Sequence, residues 1–135
     1  MTVQLQKDQT ALAFDFGLAR IGVATGNTLI GSASPIGIIH ARTNRQRWAQ
    51  IQKYIDEYQP HFFVVGVPLH VRGREKVTEW SQRCERFARQ LSGRFARPAY
   101  LVHEGYSSVV VDQNDLYVDD QAAAVILQQF FDENL

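Results

Sequence analysis

Almost no cysteine, little proline and no net charge mark this sequence. Its one cysteine, Cys84, cannot close an internal disulfide, so a packed core must hold the fold and a reducing cytosol is the expected location. No run of about 18 apolar residues occurs, which excludes a membrane-spanning helix. The opening Met1-Thr-Val-Gln-Leu-Gln-Lys-Asp8 lacks a basic stretch followed by an apolar one, so no signal peptide is expected. Repeats, low-complexity tracts and linkers are missing too, and 135 residues suit one domain, 1–135, better than two. His40, His61 and His70 have no metal-ligand spacing.

One further absence is local. All 14 Lys and Arg lie at or before Arg97, whereas seven of the 14 acidic residues come after it. Residues 1–97 therefore carry +7 and residues 98–135 carry −7. Such a split lets a basic surface meet a polyanion while the acidic segment holds cations, although opposite charges that merely interleave on the folded surface would give the same count.

What is present reads as alternating strands and helices. Thr10–Phe16 sets Leu12, Phe14 and Phe16 against Ala11, Ala13 and Asp15, the period of a strand. Arg20–Thr25 and Ile36–His40 follow as strands, separated by a Gly/Asn/Ser/Pro-rich segment, 26–35, that reads as a loop. Thr43 with Gln46 forms a capping box before a helix carrying Trp48, Ile51, Ile55 and Tyr58, which Pro60 ends. Phe62–Val67 is a continuously apolar strand, as expected where both faces are covered. A second amphipathic helix carries Val77, Trp80, Cys84, Phe87 and Leu91; Tyr100–Glu104 is a fifth strand, and a last helix runs from about Asp120 to Phe131. The order βββαβαβα predicts an α/β fold with a mixed five-stranded sheet, three antiparallel strands then parallel ones, and helices on its faces. Sites in such sheets form at the carboxyl ends of the parallel strands.

Three carboxylates fall near those ends. Asp15 lies inside an apolar strand, where burial of an unpaired carboxylate costs several kcal/mol, so it needs a cation, a metal or the N–H groups of the Gly17-Leu-Ala turn. Glu104 closes the fifth strand, and Asp119 precedes the last helix, where an N-cap aspartate is common and Asp120 competes for the role. Together they suit one or two Mg²⁺ or Mn²⁺ ions. The segment Val67-Pro-Leu-His-Val-Arg-Gly-Arg-Glu-Lys76 puts Arg72, Arg74 and Lys76 before a helix, where the dipole disfavours cations; a phosphate would favour them, and a solvated loop would tolerate them. Tyr106, beside Glu104, is placed for base stacking. Trp48, Trp80 and Cys84 lie on apolar stripes and read as core, and His103 as a hydrogen-bonded strand residue rather than a ligand.

Four segments, in order across nearly the whole chain, resemble the YqgF/RuvX family of Holliday junction resolvase relatives, also proposed to process pre-16S rRNA. They are Phe14-Asp-Phe-Gly-Leu-Ala-Arg-Ile-Gly-Val-Ala24, Val65-Gly-Val-Pro-Leu69 with Gly73, the Glu104 strand end, and Asp119-Asp-Gln-Ala-Ala-Ala-Val-Ile-Leu-Gln128. The resemblance implies an RNase H-like fold and metal-dependent phosphodiester hydrolysis. It implies a catalytic and metal-binding triad of Asp15, Glu104 and Asp119, and favours Asp119 over Asp120. Arg20, Arg72, Arg74, Lys76 and Tyr106 are then the expected nucleic-acid contacts. The expected partners are structured RNA or branched DNA and ribosomal precursor particles, with no membrane, for a monomer or homodimer.

The chain departs from the family pattern around Glu104, where it reads His103-Glu-Gly-Tyr-Ser-Ser108 in place of Asp-Glu, Arg and two Thr, and the loop to Asp119 is short. The segment after the fourth strand also differs, reading His-Val-Arg-Gly-Arg where Asn-Met-Asp-Gly-Ser is usual. A non-catalytic nucleic-acid or ribosome-assembly factor therefore stays open beside a nuclease. A nucleotide binder of the actin and sugar-kinase type shares the Asp15-Phe-Gly17 hairpin but needs a second domain for which this chain has no room.

Overall fold

Alternation along the first strand decides which side of the sheet each residue serves. In a computed structural model that describes residues 5–68, 75–104 and 118–135, β1 (Thr10–Phe16) sends Leu12, Phe14 and Phe16 to one core and Ala11 and Ala13 to another. β2 (Arg20–Asn27) and β3 (Ser32–His40) continue from it as antiparallel strands. α1 (Asn44–Tyr58) then crosses to β4 (Phe62–Pro68), and α2 (Glu75–Phe95) to β5 (Ala99–Glu104), before α3 (Asp120–Asn134). The sheet order is β3-β2-β1-β4-β5, with β4 parallel to both β1 and β5. Every residue of β4 is buried, as its unbroken apolar run predicts.

Segment 26–35 is not the loop that its composition suggests. β2 runs on to Asn27 and β3 begins at Ser32, joined by a tight turn in which the Gly31 N–H donates to the Asn27 carbonyl at 2.8 Å. The Asn27 side chain accepts from the Leu29 N–H at 2.8 Å, and Gly31 takes a φ of 74° that favours glycine. Pro35 is tolerated because β3 is an edge strand, and the pairing shifts register opposite it, between Val23 and Ala24.

Helix ends follow their local chemistry. Thr43 caps α1, its Oγ1 accepting from the Gln46 N–H at 3.1 Å, and Gln46 Oε1 accepts from the Arg42 N–H at 2.9 Å, one residue earlier than a capping box requires. Gln59 ends α1 in the left-handed region with its N–H on the Ile55 carbonyl, just before Pro60.

The two faces are covered differently. α1 and α2 pack Ile51, Ile55, Cys84, Phe87 and Leu91 on Leu12, Phe14, Val23, Phe63 and Val65. Among the described residues α3 is the helix that covers the other face, setting Ala123, Ile126, Leu127, Phe130 and Phe131 over Ala11, Ala13, Ala24, Phe62 and Val64. Among the described residues no helix is long and apolar enough to cross a membrane.

Candidate active site

Asp15 is the penultimate residue of β1 and belongs by alternation to the α3 face. Its antiparallel partner on β2 is Gly22, which shares that face. Above this pair sits the start of α3. The Asp119 N–H donates to Asp15 Oδ2 at 3.3 Å, and Asp119 Oδ1 accepts from the Ala122 N–H at 2.7 Å. Asp119 is therefore the N-cap, with extended backbone at φ −156°, and Asp120 is the first helical residue. The cap bond engages one carboxylate oxygen of Asp119 and fixes its side chain, while its backbone N–H is bonded to Asp15. Capping and site membership are compatible because a carboxylate has two oxygens.

Both aspartates are only half-buried. The positive end of the α3 dipole favours negative charge at this point. The pair is a hard, oxygen-only donor set on fixed backbone, of the kind that holds a divalent cation through one or two carboxylates while water and phosphate oxygens complete the shell.

Two arginines brace the hairpin that carries Asp15. Arg20 donates from Nη2 to the Val118 carbonyl at 2.7 Å, so the residue expected on nucleic acid has a partner inside the protein. Arg47, in the first turn of α1, donates from Nη2 to the Leu18 carbonyl at 2.8 Å and lies 5.3 Å from the Phe16 ring centroid. Neither Arg47 nor Gly22 was among the residues expected from the sequence to serve the site. A signal for Arg47 existed: α1 has no acid in its first turn, so its arginines there oppose the dipole and need another reason. For Gly22 the strand pattern offered none.

Glu104 ends β5 in register with Pro68 of β4, two residues beyond Val102, which packs in the α3 core. Its backbone position thus lies on the rim and the face that carry Asp15, and only that position is described. For Lys76, in the first turn of α2, likewise only the backbone position is described. Arg72, Arg74 and Tyr106 lie outside the described residues. Among the described residues no three His, Cys, Asp or Glu come together as a metal-binding group; the structure assembles the Asp15–Asp119 pair. His103 is exposed and its carbonyl accepts from Gln129 Nε2 at 3.3 Å. Trp48 stacks at 5.7 Å on Phe87, Trp80 packs at 5.7 Å on Phe16, and Cys84 is buried, all in the core as expected.

A family model described as RuvX, Holliday junction resolvase, matches residues 9–133. The chain belongs to the RuvX family. Its relatives in that family include a "Putative pre-16S rRNA nuclease" of Ralstonia pickettii (strain 12J), 43% identical over 136 residues, which cover 98% of this chain and 94% of the relative. A protein of the same name from Bordetella parapertussis is 44% identical, with 93% of this chain and 95% of the relative covered. Among solved structures, T. thermophilus RuvC in complex with a Holliday junction substrate matches 91% of this chain and 93% of its own, with a TM-score of 0.54 at 11% identity. At that identity the likeness concerns the fold, which is the RNase H-like arrangement expected for RuvX.

Proposed function

We propose that this chain is a divalent-metal-dependent nuclease that hydrolyses phosphodiester bonds in structured nucleic acid, and that its substrate is the 5′ end of precursor 16S rRNA during ribosome biogenesis in the cytosol. The observation that carries this reading is the pairing of Asp15 with Asp119 at the carboxyl end of β1, under the N-terminus of α3. Glu104, at the end of β5, is the third ligand in this proposal. The names of the relatives supply the substrate class. Mg²⁺ or Mn²⁺ bound there supplies an activated water and stabilises the leaving oxygen. The chain itself holds Asp15 and Asp119 in fixed orientation, through the cap bond and the Asp119 N–H, so little reorganisation is needed when a phosphate arrives. Arg72, Arg74 and Lys76 hold the nucleic-acid backbone, and Tyr106 stacks on a base.

Resolution of Holliday junctions is the second reading, favoured by the description of the matching family model. Parallel digestion of precursor rRNA fragments and four-way DNA junctions, with Mg²⁺ and with Mn²⁺, separates the two. Cleavage of the rRNA is expected, reduced at least about 10²-fold in Asp15→Asn. Cutting of the junction alone would select the second reading, and an Asp15→Asn protein as active as the native one would sink the metal site. Salt-sensitive binding without cutting would mark a non-catalytic assembly factor.

A further inference from the structure

The start of α3 lies unusually close to the sheet, and one residue makes that approach possible. A Cβ on Gly22 would overlap the carbonyl carbon and oxygen of Asp119 and stand 2.9 Å from the Asp120 nitrogen. These atoms are backbone, so no side-chain rotation relieves the overlap; the whole first turn of α3 would have to lift. The same stretch is held from the side by Arg20, two residues earlier on β2 and on the same face, through its bond to the Val118 carbonyl. Residues 118–120 are thus seated on Gly22, clamped by Arg20 and bonded to Asp15 through the Asp119 N–H.

We infer that Gly22 and Arg20 are positioning residues of the carboxylate pair: the bare strand at Gly22 lets the Asp119 backbone rest against β2 beside Asp15, and Arg20 fixes its entry. This rests on the proposed metal-binding role of Asp15 and Asp119. A six-coordinate cation with oxygen ligands at about 2.0–2.1 Å tolerates little displacement of either carboxylate, so seating errors well below a helical turn weaken it. Gly22 then serves the site, beyond the general packing of α3. Gly26 provides the comparison, because it lies on the same face of β2 under the far end of α3, where a Cβ would stand 2.7 Å from the Phe131 ring and 2.8 Å from the Ser32 carbonyl.

Mn²⁺ titration of the full chain, followed by the electron paramagnetic resonance of free Mn²⁺, tests this alongside thermal melting. Gly22→Ala is expected to weaken Mn²⁺ binding by about 10–100-fold, while Gly26→Ala lowers the melting temperature and leaves Mn²⁺ binding within about twofold of native. Arg20→Gln, which adds no atoms to the strand, is expected to weaken Mn²⁺ as well and to leave the salt slope of nucleic-acid binding unchanged. If Gly22→Ala does not fold, Arg20→Gln decides. Native Mn²⁺ affinity in folded Gly22→Ala or in Arg20→Gln would overturn the inference, and a salt slope reduced by about one in Arg20→Gln would assign Arg20 to the nucleic acid instead. Asp15→Asn separates the two levels: loss of Mn²⁺ there with none in Gly22→Ala refutes the positioning role alone, and retention in Asp15→Asn refutes the metal reading beneath it.

Discussion

The two faces of the sheet achieve burial by opposite means. On the α1/α2 face the gap is filled by bulk: Phe87 meets Phe14 edge-on at 5.7 Å, Phe16 at 4.7 Å and Trp48 at 5.7 Å. On the α3 face, β4 still contributes Phe62 and Val64, but β1 and β2 offer only Ala11, Ala13, Ala24, Gly22 and Gly26 to the apolar contact, so over these two strands the helix backbone itself comes down onto the sheet. Bulk stabilises and holds side chains apart. Small residues bring backbone to backbone, and only that brings an N-cap aspartate within reach of a strand aspartate. The face that contributes more aromatic packing is therefore not the one that builds the site.

Substitutions break this contrast in graded ways. Phe87→Ala should cost the most stability, about 3–5 kcal/mol, read from denaturant unfolding, with Mn²⁺ affinity preserved in the protein that remains folded. Ala13→Leu, under α3, should cost less, about 1–3 kcal/mol, yet should weaken Mn²⁺ because α3 is pushed off the sheet. If both lower metal affinity equally, the faces are not independent. The smallest effect is a pH dependence at the rim of the aromatic face. Burial, then the neighbouring Tyr58 and Glu57, raise the Tyr54 pKa above 10.0. Tyr54 thus favours its neutral form in the fold, and its contribution is intact below the unfolded pKa and lost as pH rises through the folded one. Melting temperature against pH, from about 8 to 11, should fall less steeply in Tyr54→Phe than in the native chain.

Much of this was legible in the sequence, for identifiable reasons. β1 is clear because strict alternation survives where each face has its own core, and the N-cap at Thr43 because capping is local chemistry. β3 was half hidden: an edge strand with a register shift admits the Ser, Pro and Gly that elsewhere mean a loop. Asp15 stood out as a charge in an apolar strand. Asp119 alone reads as a helix cap, which it is; its nearness to Asp15 spans 104 positions of sequence and depends on how α3 returns across the sheet. Gly22 was invisible, since a glycine in a strand says nothing about which backbone will lie on it.

Asp119→Asn tests the central claim most directly, because asparagine caps a helix as well as aspartate does. Mn²⁺ titration and melting of this variant should show binding lost and stability changed by no more than about 1 kcal/mol. Native Mn²⁺ affinity at unchanged stability would contradict the account, leaving Asp119 a helix cap and nothing more.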